Sequence, residues 1–243
     1  MRFVPTILVC ASLVVAVSLP AATAPKAPPP LTVQPDDDQA ERPIDRAVRL
    51  YEAGKIDAAR RAFEQLARQG NPAAHYNLAV MHLRGDLPRM TLKQAVQHMT
   101  TAAEAGFVTA QFGLAQLHDS GRLGKVDAVQ ALRWYRRAAE SGSSAAAEEV
   151  GTAYYLGRGV ERDLAQALVW FQQAANAGEV GAQYLLASMY EHGEGTPVNL
   201  RLAAYWYEVA ARNGDVAAPG KLKEVLERMA LPSCEAGSAS RPC

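Results

Sequence analysis

The stretch AQYLLASMYEHGEGTPVNLRLAAYWYEVAARNG, residues 182–214, reads as two helices joined by a glycine-rich turn. Ala182, Leu186, Met189 and Tyr190 stand at i, i+4, i+7 and i+8, which places them on one face of a helix. Gly193 follows where helices commonly end on a left-handed residue, a conformation glycine adopts without a Cβ penalty. Asn199 is a good N-cap, because its side chain can accept a bond from an orphan backbone N–H. Ala203, Trp206, Tyr207, Ala210 and Ala211 then mark a second apolar face, which stops at Gly214. The unit is a helical hairpin.

The same grammar recurs every 36 residues. Gly70, Gly106, Gly142, Gly178 and Gly214 form one series, Ala74, Ala110, Ala146, Ala182 and Ala218 a second, and Gly85, Gly121, Gly157 and Gly193 a third. Glycine makes up about 7% of ordinary sequence, so four further hits in register have a chance probability on the order of 10⁻⁵. The cap position reads Thr91, Asp127, Asp163 and Asn199. The first-helix face reads Leu78, Leu114, Val150 and Leu186, beside the small residues Ala79, Ala115, Gly151 and Ala187 that let two helices approach closely. The second helix carries Met99, Tyr135, Phe171 and Tyr207, preceded by His98, Trp134, Trp170 and Trp206. Self-similarity at this period is the mark of a solenoid, in which each unit stacks on neighbours because none buries its apolar face alone. The expected fold is all-α, a right-handed superhelix of about eleven helices over residues 43–230.

The end units differ from the interior ones, as stacking requires. Residues 43–70 form a shorter hairpin, with Gly54-Lys55-Ile56-Asp57 as a tight turn before Ala58–Gln69. Past Ala218 the register continues to Leu222, Val225 and Leu226 and stops at Pro232. Lys221, Lys223, Glu224, Glu227 and Arg228 give that last helix a wet outer face, so residues 218–230 read as a capping helix.

The composite pattern, A-x-x-x-L-[GA]-x-M-Y-x-x-G-x-G, a short loop, then D-x-x-x-A-x-x-W-[FY]-x-x-A-A-x-x-G, resembles the Sel1-like repeat, a relative of the tetratricopeptide repeat. It is fullest in residues 146–178, through Val150, Gly151, Tyr154, Gly157, Gly159, Val160, Asp163, Ala167, Trp170, Phe171, Ala174, Ala175 and Gly178. Four such repeats fall at about 74–109, 110–145, 146–181 and 182–217, and the 43–70 hairpin is similar to a plain tetratricopeptide unit. His82 and His118 replace the tyrosine of the first helix, and Gly85-Asp86-Leu87 and Gly121-Arg122-Leu123 replace the Gly-x-Gly loop. The resemblance implies a binding scaffold, with envelope regulation, support of polysaccharide export or neutralisation of a secreted toxin as the family's roles. Cysteine-rich members have been described as β-lactamase-like; the paired cysteines of their repeats are missing here, and a cell-wall or β-lactam hydrolase is the alternative reading.

Composition narrows the partners. Lys+Arg and Asp+Glu both number 25, so the formal net charge is zero and nothing offers the basic surplus that nucleic acid requires. Met1-Arg2 and the apolar run from Ile7 to Leu19 read as a secretory signal over residues 1–24, since the run is shorter than the about 20 residues that span a bilayer. Ala22-Thr23-Ala24 has the form of a cleavage site, although Pro25 follows it, and cleavage after Ser18 or Ala21 is an option. A retained anchor and a lipid-modified Cys10 are the other readings; Val9 before Cys10 and the short run ahead of it argue against lipidation. Residues 25–42, rich in proline and carrying Asp36–Asp38, read as a disordered tether, and 231–243 as a flexible tail. In the tail Cys234 and Cys243 either close a disulfide in an oxidising compartment or remain free thiols. The expected location is the periplasm of a Gram-negative bacterium, or outside the cell, with the membrane touched only through the export signal.

Little in the chain has the pattern of catalytic chemistry. The five histidines, His75, His82, His98, His118 and His192, show neither HExxH spacing nor a neighbouring cysteine, so no metal and no cofactor is expected. His82 and His118 read as packing residues whose rings reach an inter-helix hydrogen bond. The stretches GRGVERD and GEGTP fit no phosphate-binding pattern, and no G-x-S-x-G occurs. Trp134, Trp170 and Trp206 could stack sugars or bases, but their fixed slot suits core packing between helices.

The groove is the remaining candidate. If hairpins stack as in tetratricopeptide arrays, the positions two, six, nine and ten after each repeat's alanine line the concave side. These are Tyr76, Val80, Leu83 and Arg84; Phe112, Gln116, Asp119 and Ser120; Glu148, Thr152, Tyr155 and Leu156; Tyr184, Ser188, Glu191 and His192. Rings mixed with hydrogen-bonding groups suit a protein or peptide partner. A solvated inner face without a partner is the plainer reading.

Overall fold

The structure, a computed structural model, describes residues 41–230. The expected export signal, Cys10, nearly all of the proline-rich stretch expected as a tether, and the segment with Cys234 and Cys243 lie outside the described residues. Eleven helices follow one another: α1 (Pro43–Glu52), α2 (Ile56–Arg68), α3 (Pro72–Leu83), α4 (Leu92–Glu104), α5 (Val108–Asp119), α6 (Ala128–Glu140), α7 (Ser144–Leu156), α8 (Leu164–Asn176), α9 (Val180–His192), α10 (Leu200–Arg212) and α11 (Ala218–Ala230). No strand occurs among the described residues. The substantial helix–helix contacts all join consecutive helices, so the array is an all-α repeat superhelix whose every unit leans on its neighbours.

The cap chemistry explains where the helices begin and end. The side chains of Thr91, Asp127, Asp163 and Asn199 accept bonds from backbone N–H groups in the first turns of α4, α6, α8 and α10. Thr91 adds a reciprocal capping box with Gln94. Gly157 and Gly193 end α7 and α9 in the left-handed conformation, φ +73° and +75°. The first turn came out shorter than its sequence suggests: α2 already begins at Ile56, leaving Gly54 and Lys55 as the bend.

Packing follows the 36-residue register. Leu78, Leu114, Val150 and Leu186 are buried, as are Ala79, Ala115 and Ala187 beside them. At Gly151 an added Cβ would stand 2.8 Å from the ring of Phe171, which is why the hairpin of α7 and α8 takes glycine there. The loops divide in two. In the last two repeats the second glycine presses onto the preceding hairpin: a Cβ on Gly159 would overlap the Ala128 carbonyl, and one on Gly195 the Leu164 carbonyl. Leu87 and Leu123 hold the same place in the first two repeats, and there a side chain fills the seam, buried at Leu87 and half-buried at Leu123.

Three expectations need correction. Trp134 and Trp206 are buried, but Trp170 is only half-buried. Arg137 lies over the Trp134 ring, 5.0 Å from its centroid, and Tyr205 packs edge-on to Trp206. At Trp170 the matching neighbours are Val169, which is exposed, and Gln173, whose amide turns to the Ala139 carbonyl. His82 bonds the loop carbonyl of Leu87 rather than another helix, and His118 contributes its backbone carbonyl, which accepts from the Asp127 N–H. Helix α11 is charged on one side as expected, yet Leu226 and Met229 are also exposed, so the cap is not wet all round.

Candidate functional site

The first helices of the hairpins place their residues in two shells. Position six of the last three repeats holds Gln116 on α5, Thr152 on α7 and Ser188 on α9, all half-buried. Position two holds Phe112, Glu148 and Tyr184, half-buried as well. Phe112 packs edge-on to Tyr135 at 5.4 Å and Tyr184 edge-on to Tyr207 at 5.3 Å, so these two rings expose one edge while the other anchors to the second helix. Burial raises the Tyr184 phenol above its ordinary value. His192 and Arg84 are exposed at the ends of their helices.

The surface closes at its N-terminal end. Tyr76 and Val80 are fully buried and line nothing open. Tyr76 packs against Phe107 at 5.3 Å, the two rings tilted to one another. Burial raises its phenol far above the ordinary value.

Position nine binds the array itself. Asp119 pairs with Arg158 of the next repeat at 3.8 Å, and Arg158 also meets Glu149 at 3.6 Å. The Tyr155 hydroxyl donates to Glu194 of the next repeat at 2.8 Å, and Arg162 donates to the Tyr155 carbonyl at 3.0 Å. Burial, then the bond to Glu194, raises the Tyr155 phenol. Glu191 is 4% exposed and accepts from the Tyr207 hydroxyl at 2.8 Å and from Arg228 at 2.6 Å. A carboxylate taken from water needs such partners. Asp119, Tyr155 and Glu191 are therefore inter-repeat latches, and Glu191 in particular is sealed from any groove.

Two buried glutamines escaped the sequence reading. Gln111 donates to the Ala103 carbonyl at 3.1 Å and Gln183 to the Ala175 carbonyl at 3.2 Å, each adding a second bond to a carbonyl in the last turn of the preceding second helix. Their recurrence two periods apart was the available signal. His75 takes the same slot in the first repeat, and its Nδ1 stands 2.8 Å from Nδ1 of His98.

A nucleophile and base do not come together at the one serine–histidine contact of this face. Ser188 Oγ and His192 Nδ1 are 3.4 Å apart, but the same Nδ1 lies 2.9 Å from the Ser188 carbonyl. That bond requires the hydrogen on Nδ1, so the nitrogen has no lone pair for the serine proton. Among the described residues no group of three or more His, Cys, Asp or Glu could hold a metal ion, and no helix is long and apolar enough to cross a membrane.

Comparison with known proteins agrees with this geometry. The Sel1 repeat model matches residues 72–107, 108–143, 144–179 and 180–215, beginning each unit at the start of its first helix. A Sel1 repeat protein from Oxalobacter formigenes is 34% identical over 69% of this chain and 49% of its own, with a TM-score of 0.63. A protective antigen of uropathogenic Escherichia coli with an SLR fold is 24% identical over 78% of this chain and 50% of its own, TM-score 0.44. Helicobacter pylori cysteine rich protein B is 22% identical over 53% of this chain and 92% of its own, TM-score 0.42. The chain thus spans about half the length of the first two. No curated protein sequence matches it. Four consecutive matched units, coincident with four hairpins of this structure, place the chain in the Sel1 repeat family.

Proposed function

We propose that this protein is an exported scaffold that holds a segment of a partner protein along the inner face of α5, α7 and α9, without cofactor or turnover. The observation that carries the reading is the row Gln116, Thr152 and Ser188, flanked by Phe112, Glu148 and Tyr184. These side chains recur one repeat apart and are half-buried, Thr152 bonding back to its own helix and Phe112 and Tyr184 packing on rings of the second helices. Half-buried rings among short hydrogen-bonding groups fit an extended peptide, whose main chain needs evenly spaced partners. The Oxalobacter relative supports a repeat scaffold. The export signal at residues 1–24 supports work in the periplasm or outside the cell, as an envelope adaptor or regulator or as a toxin-neutralising protein. The balanced charge supports a protein partner over nucleic acid.

Affinity capture from an envelope extract tests the reading. The wild type should enrich a discrete partner that Gln116→Arg/Thr152→Arg/Ser188→Arg loses at an unchanged helical spectrum. A control carrying Gln172→Arg and Asn176→Arg on the exposed side of α8 should retain it. Equal capture by all three proteins defeats the inner-face reading. Nitrocefin or peptidoglycan turnover abolished by one inner-face substitution would favour a hydrolase.

A further inference from the structure

Helix α11 repeats the first-helix pattern of the unit before it. Ala218, Leu222, Val225 and Leu226 stand 36 positions after Ala182, Leu186, Met189 and Tyr190. In α9 all four of those side chains are buried, within a hairpin closed by α10. No second helix closes α11 among the described residues. Ala218 and Val225 are buried, but Leu226 is 49% exposed and Met229 40% exposed. Pro219, Leu222, Leu226 and Ala230 form an open apolar stripe along α11, edged by Lys223 and Glu227. In sequence, the slot that Trp206 fills falls on Pro242, after Pro232 and Gly237, so residues 231–243 do not repeat the second-helix pattern.

We propose that a second copy of this chain covers this stripe, the two α11 helices packing antiparallel about a two-fold axis. A two-fold contact requires a self-complementary surface. Antiparallel packing brings Lys223 of one copy to the side of Glu227 of the other, and the reverse, over a shared stripe of Leu222 and Leu226. Within one copy this pair is a solvent-exposed contact of 3.9 Å, free to be re-formed between copies. Head-to-tail stacking would need a second apolar end. Among the described residues no large hydrophobic before Leu92 is exposed, although Ile44, Leu50 and Ile56 there are half-buried. A two-fold contact uses the same surface of both copies and closes as a pair. One helix stripe covers less than the about 800 Å² per partner of a standard stable interface, so the pair is weak and reversible.

Sedimentation velocity of the mature protein, residues 231–243 included, tests this. The weight-average sedimentation coefficient should rise between micromolar and sub-millimolar concentration. Leu226→Glu should hold it at the monomer value with the helical spectrum intact, since this side chain is already half in water. Lys223→Glu alone should weaken association several-fold, and Lys223→Glu with Glu227→Lys should restore it. A flat wild-type coefficient across the range overturns the proposal, as does a dimer that survives Leu226→Glu. A dimer seen only after residues 231–243 are deleted also overturns it and assigns the stripe to the chain's own tail.

Discussion

Gly157 and Gly159 share a left-handed backbone, φ +73° and +71°, but not their surroundings. A Cβ on Gly157 would rest at ordinary contact, 3.5 Å from Arg162. A Cβ on Gly159 would overlap the Ala128 carbonyl and stand 2.9 Å from the Val129 nitrogen, atoms of the preceding hairpin that no rotamer change can move. Alanine at either site meets the left-handed penalty of about 1–2 kcal/mol. Gly159→Ala must also push two backbones apart, an overpacking cost of about 1–3 kcal/mol. Gly157→Ala should thus lose about 1–2 kcal/mol and Gly159→Ala about 2–5 kcal/mol. Urea titration followed by far-ultraviolet circular dichroism separates the two, provided the slope of the transition is compared as well as its midpoint. A lower slope for Gly159→Ala would show the array parting at the seam between α6 and α7. Equal losses for both variants, or a milder one at Gly159, would refute the close approach and leave only backbone conformation as the reason for glycine.

The tryptophan slots should rank by burial: Trp206→Ala should lose about 3–5 kcal/mol and Trp170→Ala measurably less in the same titration, whereas equal losses would mean that the Trp170 ring is covered. Acid should weaken the first hairpin of the repeat array. Burial, and then the neighbouring His75, hold His98 below its ordinary value of 6.5, against an opposing pull from Glu64. The unfolded chain then takes up the proton first, so stability is full above pH 6.5 and falls as the pH drops below it toward the lowered folded value. A His98→Gln variant should flatten that decline in thermal melts between neutral and mildly acidic pH, and an unchanged slope would show that His98 does not carry it.

Much of this molecule was legible without coordinates because its information is local and repeated. The helix starts at Thr91, Asp127, Asp163 and Asn199 depend on side chains bonding their own first turns. The left-handed stops at Gly157 and Gly193 depend on one residue's backbone freedom. The 36-residue register then dictates which faces must stack, and with it the all-α superhelix. The inner face was harder, because register assigns a position but not its neighbours. Tyr76 and Tyr184 hold the same place in their repeats, yet the first is fully buried against Phe107 while the second, packed on Tyr207, leaves an edge exposed. Asp119, Tyr155 and Glu191 also share one place, and no pattern within a single repeat foretells that Arg158, Glu194 and Arg228 come across from the next. Which polar residues remain for a partner is decided by pairs some 37 to 39 residues apart, and such pairs meet only when the hairpins stack.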